Sequence, residues 1–475
     1  LYAALRDAIL DGRLRPGVKL PSTRELADRY ALARGTIVIA FDQLKSEGYL
    51  SGRIGSGTYV SAVLPEALLH AGTTATAGAR QPSAAARRPA RRLSDVAKRA
   101  VAFKPGLNPA APAFRANQPA LDLFPTTLWA QLAGRRLRRA STALLKGCPP
   151  GGYPPLQQAL ADYLGSARGV VCAPEQIAIV SGVQEAIDLT IRLVLNPGDG
   201  VCIEDPGYMA AARAFAAAGA AMTHVPLDDQ GMIVPPRRVR GRRGEQPRLA
   251  YVTPAHQFPM GMTMSLARRL ALLDWARRTG ALIFEDDYDS EYRFAGTPVP
   301  ALQSLDRDGS VLFAGSFSKV LFPSLRIGYL VVPPDLVDRV EAIKSLANRH
   351  APLFDQVVLC DFMTEGHFGR HVRRMREVYA ERLTVLLRAV REQLADHVEV
   401  SPVEAGLQTP VTFRRDIDAI AIKDAAARRN VEVFELSRYG ARPLTRDGLL
   451  LGFAAVDKAE IRRGVKELAA ILVRH

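Results

Sequence analysis

Val311-Leu312-Phe313-Ala314-Gly315-Ser316-Phe317-Ser318-Lys319 is an apolar run that stops at a small polar turn and delivers a lysine. The run is short and continuous, the pattern of a strand buried on both faces. Comparable runs lie at residues 177–180, 200–203, 249–253, 281–285 and 328–332, and most are joined by segments of helical period. That order predicts an α/β unit on a mainly parallel sheet. In such sheets ligands bind beyond the carboxyl ends of the strands, so the residues standing there are the candidates for chemistry.

Three of those ends carry suitable groups. Ser181-Gly182-Val183-Gln184-Glu185-Ala186 follows one strand and opens a helix, offering free backbone amides and a positive dipole end to an anion. Glu285-Asp286-Asp287-Tyr288 ends another and supplies a carboxylate and a phenol two residues apart in Asp286 and Tyr288. Lys319 follows a third, and Arg326 comes seven residues later. Metal chemistry is not expected, because Cys148, Cys172, Cys202 and Cys360 are widely separated and form no ligand pattern. Buried free thiols in a reducing cytosol are the reading they support, and the cytoplasm the expected location.

The first sixty residues follow a different plan. Leu5, Ile9 and Leu10 form a helical stripe that stops at Asp11-Gly12, and Leu14-Arg15-Pro16-Gly17 turns into Leu20-Pro21. Ser22 with Glu25 makes a capping box for a second helix, whose buried face is expected from Leu26 and Tyr30. Thr36, Ile37, Ala40, Phe41 and Leu44 set a third helix. The run from Arg53 to Val60 has a Gly-rich tip, as a two-stranded wing would.

At 475 residues the chain exceeds what one core supports, and three segments are expected: a small module at 1–61, a linker at 62–112 and a large unit at 113–475. The linker is rich in Ala, Pro, Thr and Arg and lacks apolar periodicity. Arg87, Arg88, Arg91, Arg92, Lys98 and Arg99 make it a solvated basic tether or a non-specific phosphate contact. A second basic run from Arg237 to Arg243 reads as a surface loop. The formal charge of +15 favours an anionic partner such as DNA. No apolar stretch reaches the roughly 20 residues of a membrane helix, so no membrane partner is expected, and no secretory signal is visible. The numbering opens on Leu1, and a short upstream piece that begins the first helix is expected.

Leu-Pro-Ser-Thr-Arg-Glu-Leu-Ala from Leu20, Arg-Gly-Thr-Ile from Arg34, Glu-Gly-Tyr-Leu from Glu47 and Gly-Ser-Gly-Thr-Tyr-Val from Gly55 resemble the GntR-type winged helix-turn-helix. The resemblance implies double-stranded operator DNA as partner. Arg34, Gly35 and Thr36 would stand at the major-groove end of the recognition helix, with Arg24, Gly55 and Gly57 against the backbone or minor groove. Val38 departs from the pattern, standing where some members carry a further basic contact.

From residue 113 the strand-end groups resemble fold-type I aminotransferases, and together with the winged helix they resemble the MocR subgroup of GntR regulators. The likeness extends to Gly152-Tyr153-Pro154-Pro155-Leu156, Glu204-Asp205-Pro206-Gly207-Tyr208, Thr253-Pro254-Ala255-His256-Gln257-Phe258-Pro259, and Gly366-His367 through His371 to Arg376. It implies pyridoxal 5'-phosphate, held covalently by Lys319 as the catalytic position. Asp286 would meet the ring nitrogen, Tyr288 the ring hydroxyl and Tyr208 the ring face, while Ser316, Arg326 and the amides of Val183 and Gln184 would hold the phosphate. His256 and Gln257 are weaker candidates at the ring edge. Leu449-Leu450-Leu451 stands where the family's enzymes commonly carry an arginine for the substrate carboxylate, leaving Arg442 as the candidate effector contact. Gly147 replaces an aromatic that relatives often offer across the dimer. The implied protein is a homodimeric transcription regulator that senses an amino compound or pyridoxal phosphate itself. The competing readings are an active aminotransferase carrying a DNA-binding module and a DNA-binding protein with a cofactor-free domain.

Overall fold

The computed structural model describes residues 1–53, 57–63, 91–102, 113–239, 246–294, 300–401 and 403–474. The chain divides into two compact units, Leu1–Arg91 and Arg92–His475.

In the first unit three helices, Tyr2–Leu10, Thr23–Tyr30 and Arg34–Ser46, precede an antiparallel pair, β1 (Leu50–Arg53) and β2 (Gly57–Val60). Ser22 caps the second helix as expected: its Oγ accepts from the Glu25 amide at 3.2 Å, and the Glu25 carboxylate accepts from the Ser22 amide at 2.7 Å. Ile9, Leu20, Leu26, Ile37, Phe41, Leu44, Leu50 and Val60 form one apolar core. Tyr30 is not part of it. At the last position of its helix Tyr30 is 58% exposed, because the chain turns away through Ala31 at a left-handed φ of 51°. Leu10, also expected on a buried stripe, is exposed for the same positional reason, at the end of its helix.

The second unit is built on an eight-stranded sheet in the order β3-β10-β9-β8-β7-β4-β5-β6. Its strands are β3 (Ile177–Val180), β4 (Gly200–Asp205), β5 (Ala221–Asp228), β6 (Gly231–Met232), β7 (Pro247–Val252), β8 (Leu282–Asp287), β9 (Val311–Ser316) and β10 (Gly328–Val331). The five central strands β9, β8, β7, β4 and β5 are mutually parallel, while β10 and β6 run antiparallel to their neighbours. All six apolar runs singled out in the sequence are strands of this sheet. A smaller antiparallel sheet, β11 (Val398–Val400), β12 (Gln408–Phe413), β14 (Gly448–Gly452) and β13 (Phe434–Glu435), lies C-terminal to it in the chain. The 27-residue helix His367–Gln393 buries Phe368, Val372, Met375, Tyr379, Leu383 and Leu386 in the main core.

The stretch read as a tether is not uniformly without structure. Asp95–Arg99 forms a short helix capped by Ser94 and packed on the helix Met209–Ala218. Arg99 Nε donates to the Ala217 carbonyl at 3.0 Å, satisfying an orphan acceptor at the negative end of that helix. Arg213 donates to the Ala102 carbonyl at 3.3 Å. Gly219 permits the approach, since a Cβ there would stand 2.9 Å from Arg99 Nη2. Polar contacts of this kind are invisible to an apolar periodicity. Residues 64–90, 103–112 and 240–245, which hold Arg87, Arg88 and most of the second basic run, lie outside the described residues. Removing the guanidinium in Arg99→Ala is expected to speed hydrogen exchange at the amide of Ala100 several-fold, with the helix Met209–Ala218 unaffected. Unchanged exchange at Ala100 would show that other contacts hold the segment.

Candidate functional site

Parallel pairing sets Asp286 beside Ala314, so that the end of β8 and the turn after β9 open at one edge of the sheet. The turn continues into the short helix Phe317–Val320, with Ser316 as its N-cap, its Oγ accepting from the Ser318 amide at 3.2 Å. The Val320 carbonyl is gripped by Tyr292 Oη at 2.8 Å and by His371 Nε2 at 3.3 Å, and Arg376 donates to the Glu291 carbonyl at 2.8 Å. The run from Gly366 to Arg376 thereby anchors the lysine turn from outside.

Lys319 Nζ donates to the backbone carbonyl of Asn117 at 2.8 Å and has no carboxylate within ion-pair distance among the described residues. Burial pulls its pKa down to about 8, against the raising influence of Asp289 and Asp286. An amine so placed has an appreciable neutral, nucleophilic fraction near neutral pH. Asn117 itself holds a left-handed φ of 62°, and its amide donates to Gln408 Oε1 at 2.7 Å.

Asp286 is 4% exposed. One carboxylate oxygen accepts from Tyr251 Oη at 2.5 Å, and the other, Oδ1, is buried with no partner. Burial raises its pKa to about 7, the Tyr251 hydrogen bond only partly opposing it. A buried carboxylate oxygen without a donor is costly, and it fits a site that receives an N–H from a ligand. Tyr288 Oη lies 3.0 Å from His256 Nδ1, which also lies 3.0 Å from both oxygens of the buried Asp289. A carboxylate only accepts, so the proton sits on Nδ1 and Tyr288 Oη receives from it. The phenol hydrogen is left for another acceptor. Tyr208 packs edge-on to Phe258 with ring centroids 5.9 Å apart, and burial pushes its phenol up to about 12.

At the other end, Gly182 turns β3 into the helix Val183–Val194, leaving the N–H groups of Val183 and Gln184 outside the helical ladder. The Arg326 guanidinium lies over this turn, 3.5 Å from where a Gly182 Cβ would stand. Arg326 has a left-handed φ of 50° and no ion pair among the described residues. Helix amides and an uncompensated arginine make a cradle for a phosphate-sized anion.

Arg442 does not join these groups. Its guanidinium donates to the His224 carbonyl at 2.7 Å and stands 3.6 Å from Asp205 Oδ2, with most of the side chain in solvent. Leu450 is fully buried in an apolar cluster with Ala116, Phe258 and Leu436, against which Tyr208, Tyr288 and Tyr439 pack. Gln257 donates inward to Glu204 Oε2 at 3.1 Å and to the carbonyls of Pro206 and Phe258. Sequence reading missed Asn117, Tyr251 and Asp289. Asn117 lies outside any regular element and Tyr251 looks like an ordinary strand residue, but Asp289 could have been suspected one residue past Tyr288. In the first unit Arg24, Arg34, Gly35 and Thr36 are all exposed, the last three on the first turn of Arg34–Ser46. Gly57 opens β2 with φ 113°, and Gly55 lies outside the described residues. No cluster of metal-ligating side chains and no helix long and apolar enough to cross a membrane occurs among the described residues.

Two architectures are therefore joined in one chain, a winged helix-turn-helix and an aminotransferase-like α/β unit. Residues 1–60 match the gntR family of bacterial regulatory proteins, and residues 113–468 match aminotransferase class I and II. The chain is 38% identical to the probable rhizopine catabolism regulatory protein MocR of Rhizobium meliloti, across 98% of this chain and 92% of that one. It is 32% identical to the HTH-type transcriptional regulator TauR of Rhodobacter capsulatus, across 99% and 96%. Among solved structures, the α-aminoadipate aminotransferase LysN of Thermus thermophilus, complexed with N-(5'-phosphopyridoxyl)-L-leucine, matches with TM-score 0.71 and 28% identity over 80% of this chain and 97% of that one. The chain belongs to the MocR-type regulators of the GntR family. It is a DNA-binding transcription regulator with an aminotransferase-like domain, and proteins of that fold are pyridoxal-phosphate-dependent.

The Asp286 carboxyl makes a signed prediction for the cofactor-free protein. Its folded pKa of about 7 lies above the 3.8 of an unperturbed aspartate, so the folded state binds the extra proton between those limits and this contribution to stability is lost as pH rises through about 7. Asp286→Asn lacks that loss. Its melting temperature relative to wild type should therefore rise between pH 4 and 7 and stay level above; a pH-independent difference would refute the raised pKa.

Proposed function

We propose that the aminotransferase-like unit binds pyridoxal 5'-phosphate and reports its state, or the arrival of an amino compound, to the winged helix. The buried, unpartnered Oδ1 of Asp286 carries this reading, because a protonated ring nitrogen is the donor that oxygen lacks. When bound, the cofactor supplies an aldehyde conjugated to an electron-withdrawing ring, which captures primary amines. Lys319 would hold it covalently, Asp286 would keep the ring nitrogen protonated, and Tyr288 would donate its free hydrogen to the ring hydroxyl, backed by His256 and Asp289. Tyr208 would cover the ring face. Arg326, Ser316 and the amides of Val183 and Gln184 would hold the phosphate.

The wall around Leu450 favours sensing over turnover. An apolar side chain cannot pair the carboxylate of an amino acid, and Arg442 is already engaged with Asp205 and the His224 carbonyl. The effector would then be the cofactor itself or an amine recognised without an internal carboxylate contact. Only an effector that binds two conformations with different affinity can shift DNA binding. Arg34, Gly35 and Thr36 would reach the major groove, and Arg24, Gly55 and Gly57 the backbone or minor groove. The protein would act in the cytoplasm as a homodimer on a repeated operator.

Titration with pyridoxal phosphate is expected to give a visible absorption band that Lys319→Ala abolishes and that Asp286→Ala weakens at least tenfold in affinity. No Lys319-dependent band would overturn the cofactor reading, and conversion by an amino acid that a keto acid reverses would favour the aminotransferase. With duplexes selected from random sequence, Arg34→Ala should weaken binding by roughly 1–3 kcal/mol if it reads a base. If it contacts only phosphate, it should reduce the salt slope by about one and leave the selected sequence unaltered.

A further inference from the structure

Behind the anion cradle lies a charge that neither the fold nor the cofactor contacts explain. Lys344, on the helix Val337–Ala347, has a side chain with no exposed surface, and its ammonium reaches one carboxylate, Glu185 Oε1 at 3.1 Å. Glu185 sits in the first turn of the helix Val183–Val194. Its other oxygen, Oε2, accepts from the Ser181 amide at 2.6 Å, and Asn348 Nδ2 donates to Oε1 at 3.1 Å. The carboxylate thus shapes the turn whose Gly182 underlies the Arg326 guanidinium and whose next two amides point out of the helix.

Such an arrangement is hard to account for by stability. Removing a lysine wholly from water is costly, and a buried ion pair seldom does better than apolar side chains of the same volume. An unneutralised carboxylate in that first turn, however, would repel any dianion placed at Val183 and Gln184. Burial alone would push the Glu185 carboxyl up, yet the Ser181 amide and Lys344 outweigh it and hold it below its usual value, so the carboxylate stays charged.

We infer that Lys344 is a positioning residue of the phosphate site: by neutralising Glu185 it lets one carboxylate brace the Ser181–Gly182 turn without repelling the phosphate held by Arg326 and the helix amides. The inference rests on the cofactor reading above and adds to it a buried residue that touches no ligand. It separates the two functions of Glu185, holding the Ser181 amide and placing charge near the anion. Lys344 acts on the second only.

The test compares pyridoxal phosphate with pyridoxal, which has the same ring and aldehyde but no phosphate, each titrated into the full chain and followed by absorption. Lys344→Met is expected to weaken pyridoxal phosphate roughly tenfold while leaving pyridoxal within about twofold, because one unpaired charge acts on the phosphate alone at this range. Glu185→Gln keeps an acceptor for Ser181 and removes the charge, so it should hold or strengthen the preference for the phosphorylated form. The double variant should return to near the wild-type ratio. Equal loss for both ligands, or a loss of the phosphate preference in Glu185→Gln, would reduce the pair to a structural brace and overturn the inference. If Lys344→Met does not fold, Glu185→Gln and the double variant decide it by the same ratio. Absence of any Lys319-dependent band in wild type would remove the cofactor reading and this inference together, whereas a normal band with an unaltered ratio in Lys344→Met would remove this inference alone.

Discussion

A half-buried amine and a buried carboxyl stand at one edge of a parallel sheet without being allowed to neutralise each other. Lys319 is satisfied by a backbone carbonyl, and Asp286 by a single tyrosine that leaves its second oxygen without a donor. Leaving such groups incompletely paired costs on the order of a few kcal/mol each. Much of the surrounding architecture bears on that cost. The parallel strands β8 and β9 fix the backbone positions, Tyr292 and His371 hold the lysine turn at Val320, and the long helix beginning at His367 packs its apolar face into the core beneath.

The same edge receives its anion cradle from a third strand. β3 lies beyond β10, the antiparallel strand that separates it from β9, so the turn at Gly182 and the Arg326 guanidinium come together only because β10 returns the chain to that side. Amine, carboxyl and cradle are 136 to 33 residues apart in the chain, counted as Lys319 from Val183 and from Asp286, yet share one edge. Tyr208 precedes the helix Met209–Ala218, and Arg99 holds that helix at its far end. One ten-residue helix therefore runs from Tyr208 at its N-cap to the contact with Arg99.

Local signals were legible because local physics produces them. The Ser22–Glu25 capping box depends on four adjacent residues, and six of the eight strands of the large sheet declare themselves as continuous apolar runs because both faces are buried. The neighbouring strands β5 and β6 escaped notice. β5 is mostly half-buried and lacks that continuity, while β6 has only two residues. Tyr30 misled for the opposite reason: its spacing was right, but the helix ended beneath it. The surroundings of Arg442 were not legible, because proximity in sequence to an apolar strand says nothing of which carboxylate or carbonyl an exposed guanidinium will meet.

The amino-acid sequence by itself determined the two-part architecture, the parallel sheet and the polar groups at its strand ends, since periodicity, capping and strand-end chemistry are properties of neighbouring residues. Tertiary structure alone decided which of those groups are short of partners. Only packing brought Asn117 to Lys319, Tyr251 to Asp286, Asp289 to His256 and Lys344 to Glu185, partners drawn from separate parts of the chain. Burial and charge neutralisation depend on every atom within several ångströms, drawn from distant parts of the chain, and no local pattern encodes them.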